Sequence, residues 1–301
     1  MQRQRLADRS PLWVRSSQQS SEVEATGTSR EGWNVGGEMA RIRIVGAGRA
    51  GSSMARALRS VGHEVFGPVG RGFDRSTVTS GVDAVIIATS DDAISSVADS
   101  LDATDDVVIL HLSGSLGLEV LSKHPRIAAL HPLITLPTVE VGAERLVSGI
   151  TFAVAGDPMA EELAHSLRGR VVEVADRDRP KYHAAACIAA NHVVALLGQA
   201  ERVAADAGLS LDAFFELTRA ALDDVAALGP RNALTGPAAR GDWATLQRHL
   251  DAIDPAEHAA YRAGVGLALE LSATPEVELV LEEPVDDVPE VRSPSVVSLV
   301  G

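Results

Sequence analysis

The segment Ile42-Arg43-Ile44-Val45-Gly46-Ala47-Gly48-Arg49-Ala50-Gly51 restricts what this chain can fold into more than any other part of it. A run of strand length enters a GxGxxG turn, and a helical stretch from Ser52 to Ser60 follows. Gly46 allows a tight turn, Gly48 leaves the backbone bare where a pyrophosphate approaches, and Gly51 lets the helix pack close on the strand. The helix N-terminus then presents unpaired N–H groups and a partial positive charge to the phosphates. The next strand comes after Gly62-His63, at the spacing of a βαβ unit, and this context makes the glycine pattern a dinucleotide-binding signature. The expected cofactor contacts at the turn are Gly46, Ala47, Gly48, Arg49, Ala50 and Gly51.

Cofactor choice is read at the end of the second strand. An NAD site usually places Asp or Glu about 20 residues beyond the first glycine, to accept the ribose hydroxyls. This chain has Phe66-Gly67-Pro68 there, Glu64 falls within the strand, and Arg71 and Arg75 follow in the loop. Arg71 suits a 2′-phosphate, which favours NADP over NAD; ordinary solvated surface is the plainer reading of both arginines. Backbone contact to the cofactor is also expected at Thr89 and Ser90 after the third strand, where Ser90 or Asp91 is in position to cap the next helix. The fourth strand ends in His111-Leu112-Ser113-Gly114-Ser115 and the fifth in His131-Pro132-Leu133, on the edge where a substrate faces the nicotinamide. Ser113 and Gly114 suit either an oxyanion contact or a turn. His131 suits either catalysis or loop packing, and His111, inside an apolar run, reads as structural.

The pattern changes once along the chain. Strand-like runs at Ile42–Val45, Glu64–Phe66, Ala84–Ala88, Val107–Leu110, Ile127–Leu130, Phe152–Ala155 and Val171–Val174 alternate with helical segments, which predicts a parallel sheet flanked by helices. Beyond Asp176 only helices are expected, at about Arg179–Ala207, Leu211–Ala227, Trp243–Ile253 and Pro255–Ser272. The fold class is therefore α/β, a Rossmann-like mostly parallel sheet with a second, all-helical domain. The expected divisions are a disordered extension over 1–38, a dinucleotide-binding domain over 39–176, a helical domain over 177–274 and an acidic disordered tail over 275–301. Asp178 is the expected cap of the first long helix, with Pro180 in its first turn.

Composition narrows the partners. A formal charge of −14 repels nucleic-acid backbones and anionic lipid, and no basic patch offsets it. No run reaches the ~18 apolar residues of a spanning helix, and no signal peptide follows the N-terminal arginines. One cysteine, Cys187, rules out an intrachain disulfide framework and fits a reducing cytoplasm. His249 and His258 lack metal-ligand spacing, so no metal is expected. A homodimer through the helical domain is a compatible assembly.

The runs GAGRAGSS, HLSGSLGLEVL, LHPLITLP, KYHAAACIAANHVVAL and ALTGPAARGD, in this order, resemble a bacterial two-domain family of presumed NADP oxidoreductases. That family joins a Rossmann-like domain to a helical domain of unknown function, near the 6-phosphogluconate dehydrogenase, ketopantoate reductase and pyrroline-carboxylate reductase group. The resemblance spans roughly Arg41 to Ser272. It implies hydride transfer from NADPH to a small keto or imine acid, with ketopantoate a candidate. Dehydrogenases of this group carry Lys-x-x-x-Asn on one helix; Asn191 matches the asparagine, but Cys187 stands where the lysine is expected. His183, Cys187 and Asn191 share a face at i, i+4 and i+8. His183 is therefore the expected proton-transfer group, since imidazole titrates near neutrality, with a structural helix-start histidine as the rival reading. Asn191 would orient the substrate, and Arg240 would hold a carboxylate, while Asp242 caps the helix at Trp243. A dinucleotide-binding sensor or scaffold without turnover is the alternative that the missing lysine leaves open.

Overall fold

A computed structural model of the chain describes residues 39–272, and the expected tails over 1–38 and 275–301 lie outside the described residues. Seven strands form one sheet: β1 (Arg41–Val45), β2 (Glu64–Val69), β3 (Ala84–Ile87), β4 (Val108–His111), β5 (Ile127–Pro132), β6 (Thr151–Gly156) and β7 (Arg170–Glu173). Their order is β2-β1-β3-β4-β5-β6-β7. Neighbours run parallel except β5 and β6, which are antiparallel. Strand order reverses between β1 and β3, and in open α/β sheets the crevice beyond the carboxyl ends at such a reversal is where ligands bind.

The central strands are apolar on both faces, and helices cover both. β3 and β4 are buried at every position. On one face α1 (Arg49–Ser60), α3 (Val139–Leu146) and α4 (Met159–Ser166) pack Met54, Leu58, Leu146 and Leu163 against Ile42, Ile44, Leu110 and Phe152 of the sheet. On the other, α2 (Asp91–Asp99) sets Ile94 and Ala98 against Val85, Ile87 and Ile109. α1 and α3 touch along their length, and Gly142 permits it: a Cβ there would lie 2.3 Å from the Ser53 hydroxyl.

After β7 the described chain is helical: α5 (Arg179–Cys187), α6 (Val193–Asp206), α7 (Phe215–Leu228), α8 (Pro230–Ala233), α9 (Gly236–Arg240), α10 (Trp243–Ala252) and α11 (His258–Ser272). Two local expectations are corrected. Asp178 makes no side-chain cap for α5, because a 3-10 turn over Asp176–Asp178 leads into the helix; Asp176 instead accepts a bond from the Leu118 N–H at 2.9 Å. Where no run of spanning length was expected, Asp176–Asp206 is one continuous helical segment of 31 residues, long and apolar enough by length and composition to cross a bilayer. Asp242 does cap α10, accepting from the Thr245 N–H at 3.1 Å.

α5 and α6 are joined by a π-helical turn, Ile188–His192. In a regular helix an eight-residue step overshoots two turns by ~80°. A π-turn absorbs about one residue, ~100° of rotation, and so returns Asn191 to within ~20° of the His183 direction. The shared face of His183 and Asn191 thus depends on an irregularity that side-chain periodicity does not encode.

Candidate active site

The glycine turn closes as its residue types require. Gly46 has φ +117°, and a Cβ there would lie 2.4 Å from the Ala88 carbonyl oxygen; one at Gly51 would lie 2.0 Å from the Gly46 carbonyl oxygen. Gly48 differs, because its Cβ position meets nothing within 4 Å. It is the N-cap of α1, whose first turn holds no acidic residue and receives no side-chain cap bond. An open backbone at an uncapped helix start, with Arg49 beside it, fits a pyrophosphate. The Gly46 N–H bonds the Val69 carbonyl at 2.8 Å, which fastens the end of β2 to the turn and puts exposed Arg71 just beyond. Ala88 and Thr89 line the other side of Gly46, with exposed Ser90 following as the N-cap of α2.

From there a chain of contacts leads along the sheet edge. The Asp91 carboxylate, which sequence reasoning treated only as a cap, accepts bonds from the Ser113 and Ser115 hydroxyls, each at 2.8 Å. Ser113 Oγ also accepts from the Ser115 and Leu116 N–H groups at 3.2 Å each, so this hydroxyl staples the turn after β4. His111 is wholly buried; its Nδ1 accepts from the Ser113 N–H and its Nε2 lies 3.2 Å from the Gly117 carbonyl oxygen. Burial, then the Arg179 charge, pushes it down to about 4, which fits the structural role.

Gly114 lies beneath two imidazoles. A Cβ there would sit 2.7 Å from His183 Cδ2 and 2.8 Å from His131 Nε2, so only glycine lets the turn approach both rings. The rings of His131 and His183 stand edge to face, with centroids 5.9 Å apart. His131 Nδ1 is 2.7 Å from the Tyr182 hydroxyl. Burial first, then His183 and Arg179, pushes His131 down to about 4, so it is neutral at pH 7. Burial also raises the Tyr182 phenol. Beneath the cluster, Arg179 is fully buried: Nη1 donates to the Ser113 carbonyl at 3.3 Å, Nε is 3.8 Å from Asp176, and Nε and Nη2 have no hydrogen-bond partner.

Of the residues expected from sequence, Ser113, Gly114, His131 and His183 come together here. Cys187 lies 4.0 Å from His183 Nε2, and Asn191 is exposed in the π-turn one face-repeat along. Arg240 is exposed at the end of α9, which packs on α10 and α11. Lys181 points to solvent beside Asp178. Sequence reasoning missed Tyr182, Arg179 and Asp91. A signal was present for Tyr182, which is adjacent to His183 in the KYHAAAC run; Arg179 stands in the sequence only as the first residue of the expected long helix.

Residues 147–266 match the model of a family described as a domain of unknown function, DUF2520, a span from before β6 into α11. Among solved structures the chain is similar to protein BF3122 of Bacteroides fragilis, provisionally named an NADP oxidoreductase, with 21% identity over 77% of this chain and 98% of that one and a TM-score of 0.64. It is similar to protein TM1727 of Thermotoga maritima at 24% identity, over 77% and 98% of the two chains, with a TM-score of 0.60. Pyrroline carboxylate reductase of Plasmodium falciparum, solved with NADP bound, shares 14% identity over 78% of this chain and all of that one, with a TM-score of 0.52. A comparison with curated protein sequences gave no match. These likenesses establish the Rossmann-like α/β fold with its helical C-terminal region, as the sequence pattern implies.

Proposed function

We propose that this protein is an NADP-dependent oxidoreductase that moves a hydride between NADPH and the carbonyl or imine carbon of a small acid. One observation carries the reading: a pyrophosphate-ready glycine turn and a pair of imidazoles over Gly114 lie on the same carboxyl edge of one sheet, linked through Ala88, Asp91 and Ser113. NADP-dependent enzymes among the structural neighbours support the cofactor. When bound, the cofactor supplies the hydride. Gly46–Gly51 would hold its pyrophosphate, and Arg71 would meet the 2′-phosphate. His183 delivers the proton to the substrate heteroatom, the Asn191 amide orients the substrate, and neutral His131 faces the same space over Gly114. The chain's acidity and single cysteine support a cytoplasmic setting.

The test is NADPH oxidation across a panel of 2-keto acids and cyclic imino acids, ketopantoate included. Turnover of one member is expected. Tight NADPH binding with no turnover would favour the sensor reading instead. Arg71→Ala should weaken NADPH far more than NADH in a binding titration; equal losses would remove Arg71 from the phosphate site.

We also infer a homodimer through the helical region. The run Ala184–Ala200 carries no Asp, Glu, Lys or Arg, and Ile188, Val194 and Leu196 on it are exposed, as are Leu217, Leu222 and Leu228 of α7. In a chain of charge −14, an uncharged apolar face is where a second copy can approach without repulsion.

A further inference from the structure

The Tyr182–His131 contact has a use beyond the reading above, on which it rests. We propose that Tyr182 is a positioning residue that locks His131 in its Nε2–H tautomer, so that His131 acts as a neutral hydrogen-bond donor to the substrate oxygen or nitrogen over Gly114 while His183 supplies the proton. The geometry comes first. His131 Nδ1 lies 2.7 Å from the Tyr182 hydroxyl, and the opposite edge of the ring, Nε2 and Cε1, packs against Gly114, 2.8 and 2.9 Å from where a Cβ would stand. A protonated phenol has one proton to give, and Nδ1 is the acceptor in reach; if the imidazole donated instead, the phenol O–H would lose that acceptor. With Nδ1 accepting, the neutral ring carries its hydrogen on Nε2, aimed at the site.

The surroundings hold this state. The charged and titratable groups acting on His131 are His183 and Arg179 from α5, Asp91 from α2 and His111 from β4, beside the Tyr182 hydroxyl bonded to Nδ1. Two neighbouring imidazoles and the buried guanidinium disfavour a second proton on the ring, and Asp91 opposes them while its carboxylate is occupied by Ser113 and Ser115. A neutral imidazole polarises a carbonyl without competing to protonate it, so the two histidines divide the work. No atom or electron is added by His131: the hydride comes from NADPH, the proton from His183, and His131 keeps its Nε2 hydrogen throughout.

The experiment is long-range 1H–15N spectroscopy of the histidine side chains in the full-length protein without cofactor. Comparison with His131→Gln identifies the His131 ring among the nine histidines. In the wild type, His131 is expected as Nε2–H, with Nδ1 unprotonated, from pH 8 down to pH ~5. In Tyr182→Phe, the Nδ1 signal should move and the Nδ1–H form should become populated. A wild-type ring found as Nδ1–H, or as imidazolium at pH 7, overturns the proposal even if the variant fails to fold. So does a folded Tyr182→Phe protein with an unchanged His131 tautomer. This readout needs no turnover, so failure of the oxidoreductase reading is seen separately, in the substrate panel. Where a substrate turns over, Tyr182→Phe should lower kcat by about tenfold with KM little changed.

Discussion

His183 and His131 both pack against Gly114, a glycine whose missing Cβ is what admits both rings. If it supplies the proton, His183→Ala should cost turnover roughly 10²–10⁴-fold, the range for a lost general acid. NADPH affinity should survive, because on the proposed reading the glycine turn and Arg71 would hold the cofactor; a well-folded variant with near-normal rate would pass the role to His131 or Lys181. The buried histidines also make a stability prediction. His111 and His131 titrate at about 4 in the fold, against ~6.5 in the unfolded chain, so between those values the unfolded chain binds more protons. Unfolding free energy should therefore fall as pH drops from ~6.5 through ~4 and be insensitive to these groups above that window. Urea melts across the window check this, and His111→Gln should flatten the slope; a slope that is flat in the wild type would contradict the burial of both rings. Residue chemistry was readable from sequence where one residue type has one use at one place, as with Gly46 and Gly51. Tyr182 and Arg179 escaped because their roles come from where α5 crosses the sheet edge, a non-local fact.

At the scale of elements, the strand pattern was legible because β3 and β4 are buried on both faces and so read as unbroken apolar runs. β2 was read short, since Gly67 and Pro68 resemble a strand end although pairing continues to Val69. The π-turn over Ile188–His192 has no marker in side-chain type, and it is what brings Asn191 into phase with His183. The β1–α1 unit offers a separation of fold from binding. Gly48→Ala places a methyl in open space, so stability should change by no more than about 0.5 kcal/mol while the pyrophosphate approach is blocked. Gly51→Ala drives a methyl to within 2.0 Å of a backbone oxygen and should lower the melting temperature by several degrees as well as abolish binding. Thermal melts with and without NADPH distinguish the two; a Gly48→Ala protein that still gains stability from NADPH as the wild type does would show that the pyrophosphate lies elsewhere.

For the whole molecule, the sheet region buries its apolar side chains within the chain, whereas the helical region leaves many outward. Ile188, Val194, Leu196, Leu217, Leu222, Leu228 and Leu267 are all more than half exposed, and Val194 and Leu196, two residues apart, point to opposite sides of their helix, so apolar surface is shown on more than one face. A single chain of this charge gains nothing from displaying them, and an uncharged helix segment continuous with His183 gives a second copy both a surface and a purpose, since covering it would exclude water near the proposed hydride transfer. The expected outcome in sedimentation velocity is a dimer at micromolar concentration. Leu196→Glu puts a carboxylate in the apolar face of each copy, and like charges meeting across a two-fold interface should shift the protein to monomer without loss of helix content by circular dichroism. NADPH binding should persist in that monomer, because the glycine turn belongs to one chain, while turnover should fall with dissociation. A wild-type monomer at all concentrations would refute the assembly. Preferential binding of the intact protein to neutral lipid vesicles, abolished by the same substitution, would instead assign the apolar helix to a membrane.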